Sequence, residues 1–219
     1  MNRRRFLAIT AAALAAGPAT AADWTGTALG ADLRISLTGP GADRALSDLP
    51  DLIDRIDATF SLYRPSELQQ LNRSGTHRPG DWLARALALS DRLHRLTNGA
   101  FDPTVQPLWR ALAEGGDIAR AQDLVGWERI TLGPTVRLAQ GQALTLNGMA
   151  QGFAADLVRD WLASRGFTRA LIDMGETAAL GGPYRLGLGD IGDATLSDTA
   201  LAFSQPGALM VGGRPHILH

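Results

Sequence analysis

The stretch Leu146 to Asp156, L-N-G-M-A-Q-G-F-A-A-D, constrains this chain more than any other. A β-type run, Ala143 to Leu146, feeds a turn containing Gly148. The turn opens a helix predicted from about Met149 to Arg165. Phe153, Leu157, Val158, Trp161 and Leu162 form a wide apolar stripe on that helix, which predicts a buried face. A strand that hands its backbone to a helix N-terminus favours an anion there, because unpaired N–H groups and the helix dipole both point at it. Asn147-Gly148 allows close backbone approach, and Gly152 keeps the first helical turn slim. Strand–turn–helix units that bind nothing look the same, so a phosphate site and a plain packing unit both remain open.

The flanking chain reads as α+β. Trp24 to Leu29 and Asp32 to Thr38 alternate as two strands around Gly30-Ala31. Ala42 to Thr59 has helical spacing, and Pro50 predicts a kink or restart inside it. Ser66 is placed to cap a short helix ending near Asn72. Asp81 to Thr97 predicts a helix with Trp82, Leu83, Ala86, Leu87, Leu89, Leu93 and Leu96 inward, ended by Asn98-Gly99. Val105 to Ala113 reads as a short helix and Gln122 to Trp127 as a further turn. Ile130 to Leu132, Val136 to Leu138 and Ala143 to Leu146 predict a three-strand meander. Ala170 to Met174, Thr177 to Leu180, Tyr184 to Leu188, Ala200 to Ser204 and Ala208 to Val211 predict further strands. The expected fold is one α+β domain with mixed or antiparallel sheets and packed helices.

The first residues are set apart from that core. Arg3, Arg4 and Arg5 precede Phe6-Leu7, an apolar run from Ala8 to Ala16, and Ala19-Thr20-Ala21. This predicts a cleaved leader over residues 1–21 and a mature domain over 22–219. The paired arginines fit twin-arginine export of a folded protein to the periplasm, with a general secretory leader as the alternative. The apolar run is too short to span a bilayer, so no integral membrane segment is expected after cleavage.

Composition narrows the chemistry. The chain has no cysteine and no lysine. Thiol nucleophiles, zinc–thiolate sites, Schiff-base catalysis and a P-loop lysine are therefore excluded. Without the leader's arginines the chain is net acidic and keeps no basic run, so nucleic acid is not an expected partner. HExxH and GxSxG motifs do not occur.

Besides the turn at Gly148, two places carry chemistry. Asp102 precedes Pro103, which forces it out of helical geometry and presents its carboxylate on a bend; capping of the following helix is the alternative use. Asp173-Met174-Gly175-Glu176 is an acidic pair leaving a strand at a glycine turn, and an ordinary strand-end turn is its alternative. His77 and His94 read as structural. His216 and His219 stand at the chain end, where a metal pair and a frayed terminus are both open.

The order of these motifs resembles the FAD:protein FMN transferases, the ApbE-like family, over nearly all of the mature chain. Ala28-Leu29-Gly30-Ala31 is similar to the family's A-M-G-T. Tyr63-Arg64-Pro65-Ser66-Glu67-Leu68 with Leu71-Asn72 is similar to Y-x-x-x-S-E-L-x-x-L-N. Gly99 to Thr104 matches G-A-F-D-P-T, Asn147 to Asp156 resembles G-x-x-A-K-G-Y-x-x-D, and Asp173 to Glu176 resembles D-x-G-G-[DE]. Pro215-His216-Ile217-Leu218 resembles the start of H-I-[IL]-D-P. The N-G-x-A-Q-G and D-M-G-E forms look most like the branch linked to maturation of the nitrous-oxide reductase system.

The resemblance implies transfer of FMN from FAD to a Ser or Thr of an acceptor flavoprotein, with release of AMP. It implies an FAD site lined by Leu29, Gly30, Ala31, Tyr63, Ala100, Phe101, Asp102, Thr145 and Gln151. The Gly148 carbonyl would face Mg²⁺, and His216 would be the catalytic base. This chain departs from the pattern at Ala31 (usually Thr), Thr145 (usually Asp), Gln151 (usually Lys) and His219 (usually Asp). The family's A-D-A-x-x-T motif, which supplies metal ligands, is not in the sequence, and a C-terminally truncated member with an incomplete Mg²⁺ site is expected. A catalytically impaired flavin-binding accessory protein for reductase maturation is the alternative function, and a remnant that folds poorly is a third.

Overall fold

In the computed structural model the described residues are 21–189, 192–204 and 210–215. The expected leader lies outside them except for Ala21, which opens the first strand. In chain order the elements are β1 (Ala21–Ala28), β2 (Ala31–Thr38), α1 (Ala42–Ser47), α2 (Leu49–Phe60), α3 (Glu67–Ser74), β3 (Thr76–His77) and α4 (Asp81–Leu96). A 3₁₀ turn, Pro103–Val105, leads into α5 (Gln106–Glu114), followed by α6 (Ile118–Gln122), a 3₁₀ turn at Trp127–Arg129, and β4 (Val136–Arg137). Then come α7 (Ala150–Ser164), β5 (Ala170–Asp173), β6 (Thr177–Leu180), β7 (Tyr184–Gly187), β8 (Asp193–Leu196), β9 (Ala200–Leu201), β10 (Met210–Val211) and β11 (Arg214–Pro215). The α+β reading holds, with packed helices and antiparallel strand pairs throughout. Among the described residues no helix is long and apolar enough to cross a membrane.

The chain divides into two compact units. The first contains the described residues up to Ile53 and Gln151–Phe203. Its sheet runs β1-β2-β5-β6-β9. On β2 the period-two pattern buries Leu33, Ile35 and Leu37 and turns Arg34 outward. All four residues of β5 are buried, because both of its faces are covered. On one face Leu171 and Ala179 pack with Leu186 and Leu196 of the β7–β8 hairpin. That hairpin supplies β8, which sequence reading missed because Asp193-Ala-Thr-Leu196 is short and half polar. The β1–β2 turn is Leu29-Gly30 and not Gly30-Ala31, since Ala31 pairs with Ala28. Pro50 acts as anticipated: α1 stops at Ser47, and the helix restarts at Leu49 with Pro50 in its first turn, where a missing N–H is harmless.

The second unit contains Asp54–Ala150 and the described residues from Ser204 onward. Ile56, Phe60, Leu68, Leu71, Leu83, Leu87, Leu144 and Leu146 are its fully buried large side chains. Ser66 caps α3 by accepting from Gln69 N–H at 3.0 Å. Leu96, expected inward, is 67 % exposed, because only Leu83, Ala86, Leu87 and Ser90 of α4 reach the core. The turn expected at Gln122–Trp127 is displaced: α6 starts earlier, where Asp117 accepts from Arg120 N–H at 3.0 Å.

The three-strand meander does not form. Val136–Arg137 pairs instead with Thr76–His77, and Thr131 makes a single bridge to Arg137. Ala143 to Leu146 is not a strand. Its backbone partners come from elsewhere. Asn72 Nδ2 donates to Leu144 O at 2.8 Å, while Leu144 N donates to Asn72 Oδ1 at 2.7 Å. Thr145 N donates to Pro103 O at 2.9 Å. One side-chain amide thus replaces a neighbouring strand.

Candidate functional site

In the second unit two of the motif stretches meet. α4 ends with Asn98 (φ 51) and Gly99 (φ 85), both left-handed, which turns the chain sharply into Ala100-Phe101-Asp102. Thr97 Oγ1 accepts from Phe101 N–H at 2.9 Å, and His94 Nδ1 lies 2.9 Å from Phe101 O. A carbonyl only accepts, so Nδ1 carries the proton. The Phe101 ring then rests on Gly148: a Cβ added at Gly148 would meet Phe101 Cε2 at 3.3 Å. The Thr145–Pro103 bond ties the same two stretches a few residues away. Ala100, Phe101, Asp102, Thr145 and Gly148 are therefore brought together.

Asp102 performs the capping role left open by its sequence context. Its Oδ1 accepts from Thr104 N (2.8 Å) and Thr104 Oγ1 (2.5 Å), and its Oδ2 accepts from Trp127 N (3.1 Å). Three donors on one carboxylate make it an anchor of the bend. Tyr63 is in the same unit, in a loop organised by Ser61, whose Oγ accepts from Tyr63 N and Arg64 N. Its side chain is 59 % exposed and takes part in none of the bonds that join the other stretches. A surface depression of about 450 Å³ opens elsewhere in this unit, lined by Arg55, Thr59, Glu67, Asp81 and Trp82 among others, and shares no residue with the stretches above.

The first unit carries the remaining motif residues. Leu29 (φ 51) and Gly30 (φ 75) form the tight β1–β2 turn with Ala31 at its exit. A non-glycine residue at positive φ is uncommon, so Leu29 is a strained position. Gln151, at the start of α7, lies flat against Gly175: a Cβ built there would fall 2.7 Å from Gln151 Cδ, Nε2 and Oε1. Gly175 N–H donates to Asp173 Oδ1 at 3.0 Å, and Phe203 N–H donates to Glu176 Oε2 at 3.2 Å. Burial pushes the Glu176 carboxyl up, the Phe203 bond opposes this, and the nearby Asp173 charge adds to the rise. α7 has no acidic residue in its first turn, so its own side chains leave the positive end of its dipole available to an anion.

Sequence reading missed Asn72 as a brace, Trp127 as a partner of Asp102, and the Gln151–Gly175 contact. Only Asn72 left a signal, as the last residue of the motif that begins at Tyr63. His216 and His219 lie outside the described residues. For Mg²⁺, no group of three or more His, Asp or Glu side chains forms among the described residues. The Gly148 carbonyl alone does not satisfy an ion that favours carboxylate and phosphate oxygens, so these residues do not by themselves fit a Mg²⁺ site.

Known proteins resemble this chain in sequence and in fold. The family model described as the ApbE family matches residues 29–210. The FAD:protein FMN transferase of Chlamydia muridarum is 30% identical over 132 residues, covering 52% of this chain and 42% of that protein. That of Vibrio cholerae serotype O1 is 26% identical over 159 residues, covering 65% of this chain and 48% of that protein. The chain thus spans about half the length of the curated relatives it matches. The solved structure of the ApbE protein from Thermotoga maritima superposes with a TM-score of 0.78 at 21% identity, covering 89% of this chain and 74% of that one, which is a likeness of fold.

Proposed function

The chain belongs to the ApbE family, and on that premise we propose that it acts as an FAD:protein FMN transferase. The observation that carries this reading is the joining of the two motif stretches: Phe101 lies on Gly148 and Thr145 N–H bonds Pro103 O. Residues some 45 positions apart in sequence thereby present one surface, at the loop that feeds the N-terminus of α7. The names of the Chlamydia and Vibrio relatives support the same activity.

In the proposed reaction an acceptor Ser or Thr hydroxyl oxygen attacks the FMN-side phosphorus of the FAD pyrophosphate. The P–O bond to the AMP phosphate breaks, AMP leaves, and the hydroxyl proton passes to a base, for which His216 is the candidate. In the second unit Ala100 to Asp102 hold the nucleotide and Tyr63 offers an exposed ring. Gln151, on the first unit, is able to hydrogen-bond an anion oxygen but neutralises no charge. Mg²⁺ would supply charge neutralisation at the pyrophosphate, but the described residues do not complete a ligand set for it. We place the protein in the periplasm after twin-arginine export, in the branch serving nitrous-oxide reductase maturation, with a flavoprotein acceptor.

The test is incubation of the full chain with FAD, Mg²⁺ and an acceptor peptide containing Ser or Thr. The expected result is AMP in solution and an FMN adduct on the peptide by mass spectrometry. FAD binding with neither product would overturn the transferase reading in favour of a flavin-binding accessory protein.

A further inference from the structure

Trp127 is buried and donates twice, each time to a carboxylate. Its backbone N–H reaches Asp102 Oδ2 at 3.1 Å, and its indole Nε1–H reaches Asp91 Oδ1 on α4, also at 3.1 Å. The indole bond is the largest influence holding the Asp91 carboxyl below its ordinary value, ahead of that from Arg95. One turn further along α4, His94 holds the Phe101 carbonyl and lies tilted against the Trp127 ring, centroids 6.3 Å apart. Thr104 Oγ1, bonded to Asp102, also accepts from Gly126 N–H at 2.7 Å. Gln142 Nε2 fixes Gly126 in turn by donating to its carbonyl at 2.8 Å. The bend at Phe101-Asp102 is thus tied to α4 by two routes, and Trp127 closes the longer one.

We propose that Trp127 is a positioning residue for the nucleotide site, acting through Asp91 and Asp102 to fix the Ala100–Asp102 bend that carries Phe101 onto Gly148. This rests on the reading that the bend takes FAD. Loss of the indole N–H removes the hydrogen bond from Trp127 to α4 and leaves only the ring contact with His94, which loosens the backbone donor to Asp102 and lets the bend sample positions that do not match the nucleotide. Binding is weakened before the bound complex reacts, so KM and Kd move while kcat does not.

The experiment compares Trp127→Phe, which keeps a ring and removes the indole N–H, with Val136→Ala, a buried change in the same unit outside the network. FAD Kd from flavin fluorescence, KM and kcat for AMP release, and urea midpoints are measured on the full chain. Trp127→Phe is expected to raise Kd and KM about tenfold, the ratio carried by one hydrogen bond to a charged group. Val136→Ala lowers the urea midpoint and leaves Kd unchanged. Asp91→Asn keeps an oxygen acceptor and stays near wild type, whereas Asp91→Leu matches Trp127→Phe; this pair carries the test should Trp127→Phe fail to fold. A wild-type Kd in Trp127→Phe, an equal rise in Val136→Ala, or no difference between the Asp91 variants overturns the inference. If the unaltered protein binds no FAD, the functional reading itself fails, and the inference with it.

Discussion

Asn72→Ala is the most direct probe of how the turn at Gly148 is held. Asn72 exchanges two hydrogen bonds with Leu144, at 2.8 and 2.7 Å, and Leu144 has 0 % exposure. The substitution leaves a buried N–H and a buried C=O without partners. Each unsatisfied group costs about 1–3 kcal/mol, so the expected loss is about 2–6 kcal/mol, reduced wherever water enters the space vacated by the amide. At about 2–4 °C per kcal/mol for a chain of this size, the melting temperature should fall by roughly 4–24 °C. Urea denaturation gives the stability change, and hydrogen exchange at the Leu144 amide locates it: the amide should exchange slowly in the wild type and quickly in the variant. Asn72→Asp separates the two bonds, since it still accepts from Leu144 N but cannot donate to Leu144 O when ionised. A loss under about 0.5 kcal/mol in Asn72→Ala, the range of ordinary surface substitutions, would falsify the claim that this side chain replaces a strand.

Two further outcomes are expected in the first unit. Gly175→Ala introduces a Cβ at φ 95, 2.7 Å from the Gln151 amide, and should cost about 1–3 kcal/mol; in a Gln151→Ala background the cost should shrink, and strict additivity of the two changes would refute the contact. Burial raises the folded-state pKa of Glu176 above the ordinary carboxyl value, so its neutral form favours the fold, and the stability it contributes is full below the ordinary value and lost as pH rises through the folded pKa. Glu176→Gln should therefore raise the melting temperature at pH 7 and change it little at pH 4, and an equal effect at both pH values would count against burial as the cause.

Local signals determined much of this protein. Ser66, Asn98-Gly99 and Pro50 specify helix ends or restarts through bonds and dihedral limits within a few residues, and the structure follows each of them. The strand pattern of β2 and the length of α7 were legible because their periodicity reports burial directly. Asp102 before Pro103 announced a bend, and the capping use that the structure shows was one of the alternatives its sequence context left open.

Tertiary structure decided the rest. Ala143 to Leu146 has strand-like residues, yet whether an extended segment joins a sheet depends on which backbone lies beside it, and here the neighbours are Asn72 and Pro103. Leu96 satisfies helical spacing but lies in the last turn of α4, where the core no longer follows it. Trp127 and Asp91 are 36 residues apart, and no pattern within either segment predicts that one indole would bridge two carboxylates. Gln151 over Gly175 is the same kind of fact. A helix cap needs only its own neighbours, whereas a site assembled from distant segments takes its geometry from packing that the one-dimensional pattern does not contain.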